Sequence, residues 1–175
     1  MYAAAEAEKM QKGAATMADT YNKHIIQHPK SYSLCLGCQS CDLVCSLTHD
    51  GVTGPTHGRI KIAEPDYKHL EFQILACQQC ADHPCYDACP KKDQAMCIDE
   101  NGIVYINEDF CIGCGLCARH CKFTPTRITM DKRARKAKKC DLCRGRAEGP
   151  ACIQYCPVKC LGLSDSPQEG VCEHE

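Results

Sequence analysis

Cysteines recur in this chain at intervals that leave its loops little conformational choice. Cys35, Cys38, Cys41 and Cys45 follow the spacing C-x-x-C-x-x-C-x-x-x-C, and Cys111, Cys114, Cys117 and Cys121 repeat it. Cys77, Cys80, Cys85 and Cys89 use the same device with two extra residues in the loop. A fourth group opens as Cys140-x-x-Cys143 and closes, after a longer loop, as Cys152-x-x-x-Cys156. Proline follows in Cys89-Pro90 and Cys156-Pro157, where it stops a helical turn and sends the chain back. The 175 residues hold 19 cysteines, no tryptophan and three phenylalanines. So few large apolar side chains make a weak core for this length, which calls for covalent or coordinate support.

Cysteine this dense has three common explanations: a disulfide framework, zinc, or iron–sulfur clusters. The start, MYAAAEAEKMQKGAATMADTYNKHIIQ, carries Glu6, Glu8, Lys9 and Lys12 and no apolar stretch, so it does not read as a secretory leader. The cysteine count is odd. A cytoplasmic, reducing compartment is therefore expected, and there such spacings point to metal. No apolar run approaches the ~18 residues of a membrane span, so no direct membrane insertion is expected.

Structural zinc sites draw two thiolates from each of two C-x-x-C knuckles. A third cysteine two residues on, then a fourth and a proline, is the bacterial ferredoxin run. Three thiolates on one tight loop reach three corners of a single cube. The fourth, on the helical turn beyond, points away and must ligate another cluster. Gly113 and Gly115 let the backbone wrap close and aim N–H groups at sulfur. Four groups of four use sixteen cysteines, enough for four [4Fe–4S] clusters, with three as the alternative. Cys97, Cys160 and Cys172 are left over and are expected not to ligate. A small buried thiol suits position 160; Cys172 with His174 is the weaker possibility of a tail site. The eight histidines are scattered along the chain, and His120 reads as solvated.

Short strands are expected at Arg59–Ile62, Phe72–Leu75, Ile103–Ile106 and Thr126–Met130, each bounded by turn residues. Helical turns are expected after the third cysteine of each group, for example Leu116–Cys121. Ala3–Tyr21 has helical composition. From Leu161 the sequence LGLSDSPQEGVCEHE is a polar end. The fold class is α+β, small, loop-rich and cluster-stabilised.

The basic run Lys132-Arg133-Ala134-Arg135-Lys136-Ala137-Lys138-Lys139 ends at Cys140. Net charge is −1 and no aromatics interleave the run, so nucleic acid is not expected. A thiolate-ligated cube is anionic, and compensation of that charge, or docking of a partner, is the favoured role. The chain has no dinucleotide fingerprint, P-loop or nucleophile elbow, so a non-catalytic role in electron transfer is expected.

The four groups, in this order and with these loops, resemble the iron–sulfur subunits of the dimethyl-sulfoxide-reductase type over about Leu34 to Leu163. That group includes subunits of formate dehydrogenases, carbon monoxide dehydrogenases, tungsten aldehyde oxidoreductases and benzoyl-CoA reductases. The resemblance implies two nested bacterial-ferredoxin-like units, residues 34–76 with 131–163 and residues 77–130. Residues 1–33 would then be an extension and 164–175 a tail. It also implies ligand exchange between groups. Cys35, Cys38, Cys41 and Cys156 would hold one cube; Cys45, Cys140, Cys143 and Cys152 its neighbour. Cys77, Cys80, Cys85 and Cys121 would hold a third; Cys89, Cys111, Cys114 and Cys117 a fourth. The implied partner is a large catalytic subunit, of tungsten or molybdenum type, with further electron-transfer subunits possible. A free polyferredoxin, a zinc-rich interaction module and an iron–sulfur regulator are the competing readings. A free ferredoxin is usually strongly acidic, and a regulator would need a DNA-binding element, of which there is no sign.

Overall fold

A computed structural model describes residues 23–27, 35–54, 56–63, 65 and 72–164. The helical reading of Ala3–Tyr21 and the reading of Cys172 with His174 lie outside these residues.

The regular elements are short because the cysteine loops interrupt them. In chain order they are β1 (Ile25–Gln27), α1 (Ser40–Asp50), β2 (Lys61–Ala63), β3 (Gln73–Leu75) and α2 (Pro84–Asp87). There follow β4 (Met96–Ile98), β5 (Val104–Ile106), α3 (Leu116–Arg119), β6 (Ile128–Asp131), β7 (Lys136–Lys139), α4 (Ala151–Gln154) and β8 (Leu161–Leu163). The strands form antiparallel two-stranded ribbons: β1 with β8, β2 with β3, β4 with β5 and β6 with β7. Isolated ribbons of this size are marginal in water, so packing against neighbouring loops must hold them.

Every strand expected from sequence is present within one or two residues. β4 and β7, the partners of β5 and β6, and the pair formed by β1 and β8 were not expected from sequence. β7 reads KAKK, which as sequence is a basic run. Leu161–Leu163, at the start of the polar end, is a strand in register with Ile25–Gln27, and Leu161 and Cys160 are buried. The Ser164 N–H donates to the His24 carbonyl at 2.9 Å, so residues from both ends of the described chain close one ribbon.

α1 is the longest described helix. Gln39, with φ 59°, turns the chain into it; Gly51, with φ 68°, ends it with its N–H on the Leu47 carbonyl, an αL stop that glycine makes without strain. Its inner face buries Cys41, Asp42, Cys45 and Ser46, at the spacing of one helical stripe, and packs on α4. α2 packs on α3 in the same way.

Two cores result. One joins Ile25, Cys41, Cys45, Ile60, Ala76 and Cys77 to Cys140, Leu142, Cys152, Cys156, Cys160 and Leu161. The other joins Met96, Val104, Cys117, Ile128 and Ala137, with Cys85, Cys89 and Cys111 against it. Cysteine supplies much of both, as the shortage of large apolar residues required.

Candidate iron–sulfur sites

Each cysteine loop is shaped by left-handed backbone and by amides turned towards sulfur. Positive φ occurs at Gly37 and Gln39 in the first loop, Gln79 in the second, Gly113 and Gly115 in the third, and Leu142 and Cys143 in the fourth. Backbone N–H groups donate to thiol sulfurs: Arg59 to Cys45 at 3.3 Å, Gln79 to Cys77 at 3.4 Å, Arg127 to Cys121 at 3.4 Å, Ala137 to Cys111 at 3.4 Å and Ala151 to Cys143 at 3.5 Å. Such bonds stabilise thiolate over thiol.

Gly113 carries a second constraint. A Cβ built there would run into the Arg135 carbonyl, in the β6–β7 turn, and φ is 67°. Gly113→Ala is expected to cost ~1–2 kcal/mol in backbone strain alone. It should also loosen the loop of Cys111 and Cys114, seen as iron per chain below that of the parent and a lower Tm.

Two cavities are each ringed by four of the sixteen cysteines. Cys77, Cys80, Cys85 and Cys121 line the first, with Gln79, His83, Phe123, Arg127 and Lys139. Cys89, Cys111, Cys114 and Cys117 line the second, with Lys91, Met96, Ile106, Ile112 and Ala137. In each, thiols of the second cysteine group meet thiols of the third. The four thiols of each set stand around one space, an arrangement that suits the corners of a cluster.

The remaining eight cysteines gather where the first and fourth groups meet. Burial pushes the Cys41 thiol up to about 12, with a contribution from Cys35 and Cys38. Burial raises Cys152, helped by Cys45 and Cys143, and Cys140, helped by Cys77, Cys152 and Cys45. Burial takes Cys117 to about 12 and Cys80 to about 11, in the latter case with Cys77, Cys85 and Cys121 nearby. Thiols so placed keep their protons until a metal replaces them. The same interactions link one set to the next: Cys152 with Cys41, Cys140 with Cys77, and Cys117 with Cys85.

Of the leftover cysteines, Cys160 is buried with its Sγ 3.6 Å from Cys156 Sγ. Cys97 is half-buried and donates to the Gln94 carbonyl at 3.4 Å. His120 is exposed, its Nδ1 3.0 Å from the Leu116 carbonyl.

Several polar residues around the thiols were not legible in sequence. His49 bridges the first and fourth groups: Nε2 lies 2.9 Å from Asp141 Oδ1 and Nδ1 2.9 Å from the Cys45 carbonyl. Burial opposes its charge, but the bonds to Asp141, Cys143 and Cys45 prevail and hold its pKa at about 12. Asp50 collects Lys138, His57 (2.8 Å) and Arg59 (3.1 Å), and Arg59 continues to Glu108 at 2.6 Å. The run 132–139 is thus no uniform basic patch. Lys132, Arg133, Ala134 and Arg135 are exposed at the hairpin turn, whereas Lys138 and Lys139 are buried. Lys136 Nζ donates to the Cys111 carbonyl at 2.8 Å.

The donor set suits iron–sulfur clusters by an independent observation. His83 Nε2 and Arg127 Nε are buried without a hydrogen-bond partner among the described residues, and both residues line the first cavity. Buried unpaired donors cost free energy; cluster sulfur would accept from them.

Short ribbons and thiol-lined loops of this kind define a ferredoxin-like cluster-binding protein. The chain belongs to the 4Fe-4S dicluster domain family, whose model matches residues 68–166. It is 30% identical over 149 residues to the thiosulfate reductase electron transfer subunit of Salmonella typhi, covering 80% of this chain and 74% of that protein. It is 37% identical over 123 residues to the polyferredoxin-like subunit of an aliphatic sulfonate oxidoreductase from Pyrococcus furiosus, covering 70% of this chain and 66% of that one. A solved structure, the active site complex BamBC of benzoyl-coenzyme A reductase, aligns at 20% identity and a TM-score of 0.45 over 81% of this chain and 78% of that one. No helix among the described residues is long and apolar enough to cross a membrane.

Proposed function

We propose that this chain is the electron-transfer subunit of a larger oxidoreductase, holding four [4Fe–4S] clusters in two nested ferredoxin-like units. The observation that carries the reading is the pair of cavities, each ringed by four cysteines drawn from two sequence groups, within a chain of the dicluster family. Each cluster supplies a one-electron carrier when bound. The ligand sets are Cys35, Cys38, Cys41 and Cys156; Cys45, Cys140, Cys143 and Cys152; Cys77, Cys80, Cys85 and Cys121; and Cys89, Cys111, Cys114 and Cys117.

The protein's own part is to exchange ligands, turn amides towards sulfur and keep neighbouring sites in series. Links from Cys41 to Cys152, Cys140 to Cys77 and Cys85 to Cys117 support a line of four sites. Its ends reach the surface at Cys38 and Cys114, both exposed. Leu36 stands exposed beside the one, and Phe110 and Ile112 beside the other, a rim suited to a protein partner. The partner is a catalytic subunit of tungsten or molybdenum type. The two named relatives, both subunits of oxidoreductases, support a catalytic partner. The metal rests on the resemblance of the cysteine pattern, which is analogy.

The test is to purify the native complex without oxygen and measure metals, labile sulfide and accompanying subunits. About sixteen iron and sixteen sulfide per chain, beyond the partner's share, are expected. Tungsten or molybdenum with a large second subunit identifies the partner. Iron and sulfide without a partner would favour a free polyferredoxin, and zinc without sulfide would overturn the cluster reading.

A further inference from the structure

Lys139 is 2% exposed. Its Nζ donates to the Val104 carbonyl at 2.6 Å, Gln79 Oε1 at 3.2 Å and the Cys140 carbonyl at 3.4 Å. No carboxylate partners it among the described residues. Gln79, equally buried, is held in turn: its Nε2 donates to the Cys140 carbonyl at 2.9 Å and its Oε1 accepts from the Val104 N–H at 3.0 Å. The ammonium is therefore fixed in place, next to Cys140 in sequence and in the wall of the cavity of Cys77, Cys80, Cys85 and Cys121.

That wall has no Asp or Glu in its lining and carries the buried Lys139 together with Arg127. Lys122 in the same lining is exposed and paired with Asp82 at 2.5 Å, and burial holds the His83 imidazole below its ordinary pKa. The neighbouring cavity of Cys89, Cys111, Cys114 and Cys117 has a single charged residue in its lining, Lys91, which is exposed. Reduction adds negative charge to a cluster, and a buried cation favours the more negative state far more than an exposed one does. Ordinary structural lysines are solvated or paired with carboxylates, and this one is neither.

We propose that Lys139 raises the reduction potential of the Cys77–Cys80–Cys85–Cys121 site above that of the Cys89–Cys111–Cys114–Cys117 site, so that an electron entering this half of the chain settles on the former. The inference rests on the cluster reading given above. Lys139 touches no reacting group of a substrate; it acts through the electrostatics of the site it borders.

The test is a redox titration of the full-length, cluster-loaded protein, followed by electron paramagnetic resonance, with signals assigned through Cys80→Ser and Cys114→Ser. In the parent the Cys80-dependent signal is expected to titrate at the higher potential. Lys139→Met, similar in shape but neutral, should lower that site's reduction equilibrium tenfold or more, ~59 mV per tenfold for one electron, and move the Cys114-dependent signal less. Lys139→Arg should stay within threefold of the parent. Gln79→Glu, which sets a carboxylate beside Nζ, should shift the site in the same direction as Lys139→Met. Unchanged potentials in fully loaded Lys139→Met would overturn the inference alone, as would an equal shift in Lys139→Arg. If Lys139→Met does not load, Gln79→Glu decides: a lowered potential supports the inference, an unchanged one overturns it. Loss of iron from both would make the lysine a packing element and overturn it as well. A parent without iron and sulfide would sink the cluster reading and this inference together.

Discussion

Cys121→Ser is expected to cost the cluster of the second cysteine group and to spare that of the third, the group to which Cys121 belongs in sequence. Cys121 lines one cavity with Cys77, Cys80 and Cys85, whereas Cys111, Cys114 and Cys117 line another with Cys89. The Arg127 N–H donates to the Cys121 sulfur at 3.4 Å, beyond the helical turn α3 that carries Cys117. Serine is a poor replacement for a thiolate towards iron, so about four of about sixteen irons should be lost or loosened. The paramagnetic spectrum should match that of Cys80→Ser and differ from that of Cys114→Ser. In the complex, delivery of electrons to the natural acceptor should fall tenfold or more for Cys121→Ser and Cys114→Ser alike. The catalytic partner should keep its activity with an artificial dye. A Cys121→Ser spectrum matching Cys114→Ser would overturn the exchange of ligands.

Asp50→Ala is expected to destabilise the loaded protein by ~3 kcal/mol, the usual consequence of stripping one partner from a buried ion pair. Asp50 ends α1 and receives Lys138 from β7, His57 and Arg59. Lys138 and Arg59 are 5% and 10% exposed in their side chains, so water cannot replace the lost carboxylate. Urea unfolding under anaerobic conditions measures the effect. The double variant Asp50→Ala with Lys138→Met should recover part of the loss, because it also removes a buried cation left with only the longer contact to Asp131 at 3.5 Å. Retention of full stability by Asp50→Ala would show that the cluster bonds alone set the relation of α1 to β7.

The same group fixes an acid limit. Burial opposes ionisation of Asp50, but Lys138, His57 and Arg59 outweigh it and bring the carboxyl down to about 2. With the folded value below the unfolded value of about 3.9, its contribution is complete above the unfolded pKa and is lost as pH falls through about 2. The gap in urea midpoint between the parent and Asp50→Asn should therefore stay constant from neutral pH to about 4.5 and narrow only below about 4. Narrowing already near neutral pH would overturn the assignment to the Asp50 carboxylate.

The loops were the legible part of this chain. A thiol's spacing is local: Cys111, Cys114 and Cys117 must lie on one tight turn whatever surrounds them, and Gly113 and Gly115, both with positive φ, mark where that turn bends. The apolar strands β2, β3, β5 and β6 were legible for the same reason, since alternation and bounding turns lie within a few residues. The strands β1, β4, β7 and β8 were not. β7 is written in lysines and is a strand because β6 precedes it in a hairpin, and β8 becomes one on meeting Ile25–Gln27 from the other end of the described chain.

The polar surroundings of the sites depended on contacts of great sequence separation. His49 meets Asp141 across 92 residues, Lys138 meets Asp50 across 88, and Lys139 meets Gln79 across 60. No residue in those pairs is unusual by type, and a lysine in a basic run reads as solvated until the fold buries it. Sequence by itself determined that the chain binds metal through tight cysteine loops, because ligand identity and loop geometry are local properties of covalent structure. Which thiols from different loops share a site entered only through the resemblance of the whole pattern, and only the tertiary structure decided which cations lose their water, because long-range packing sets the distances and the local dielectric.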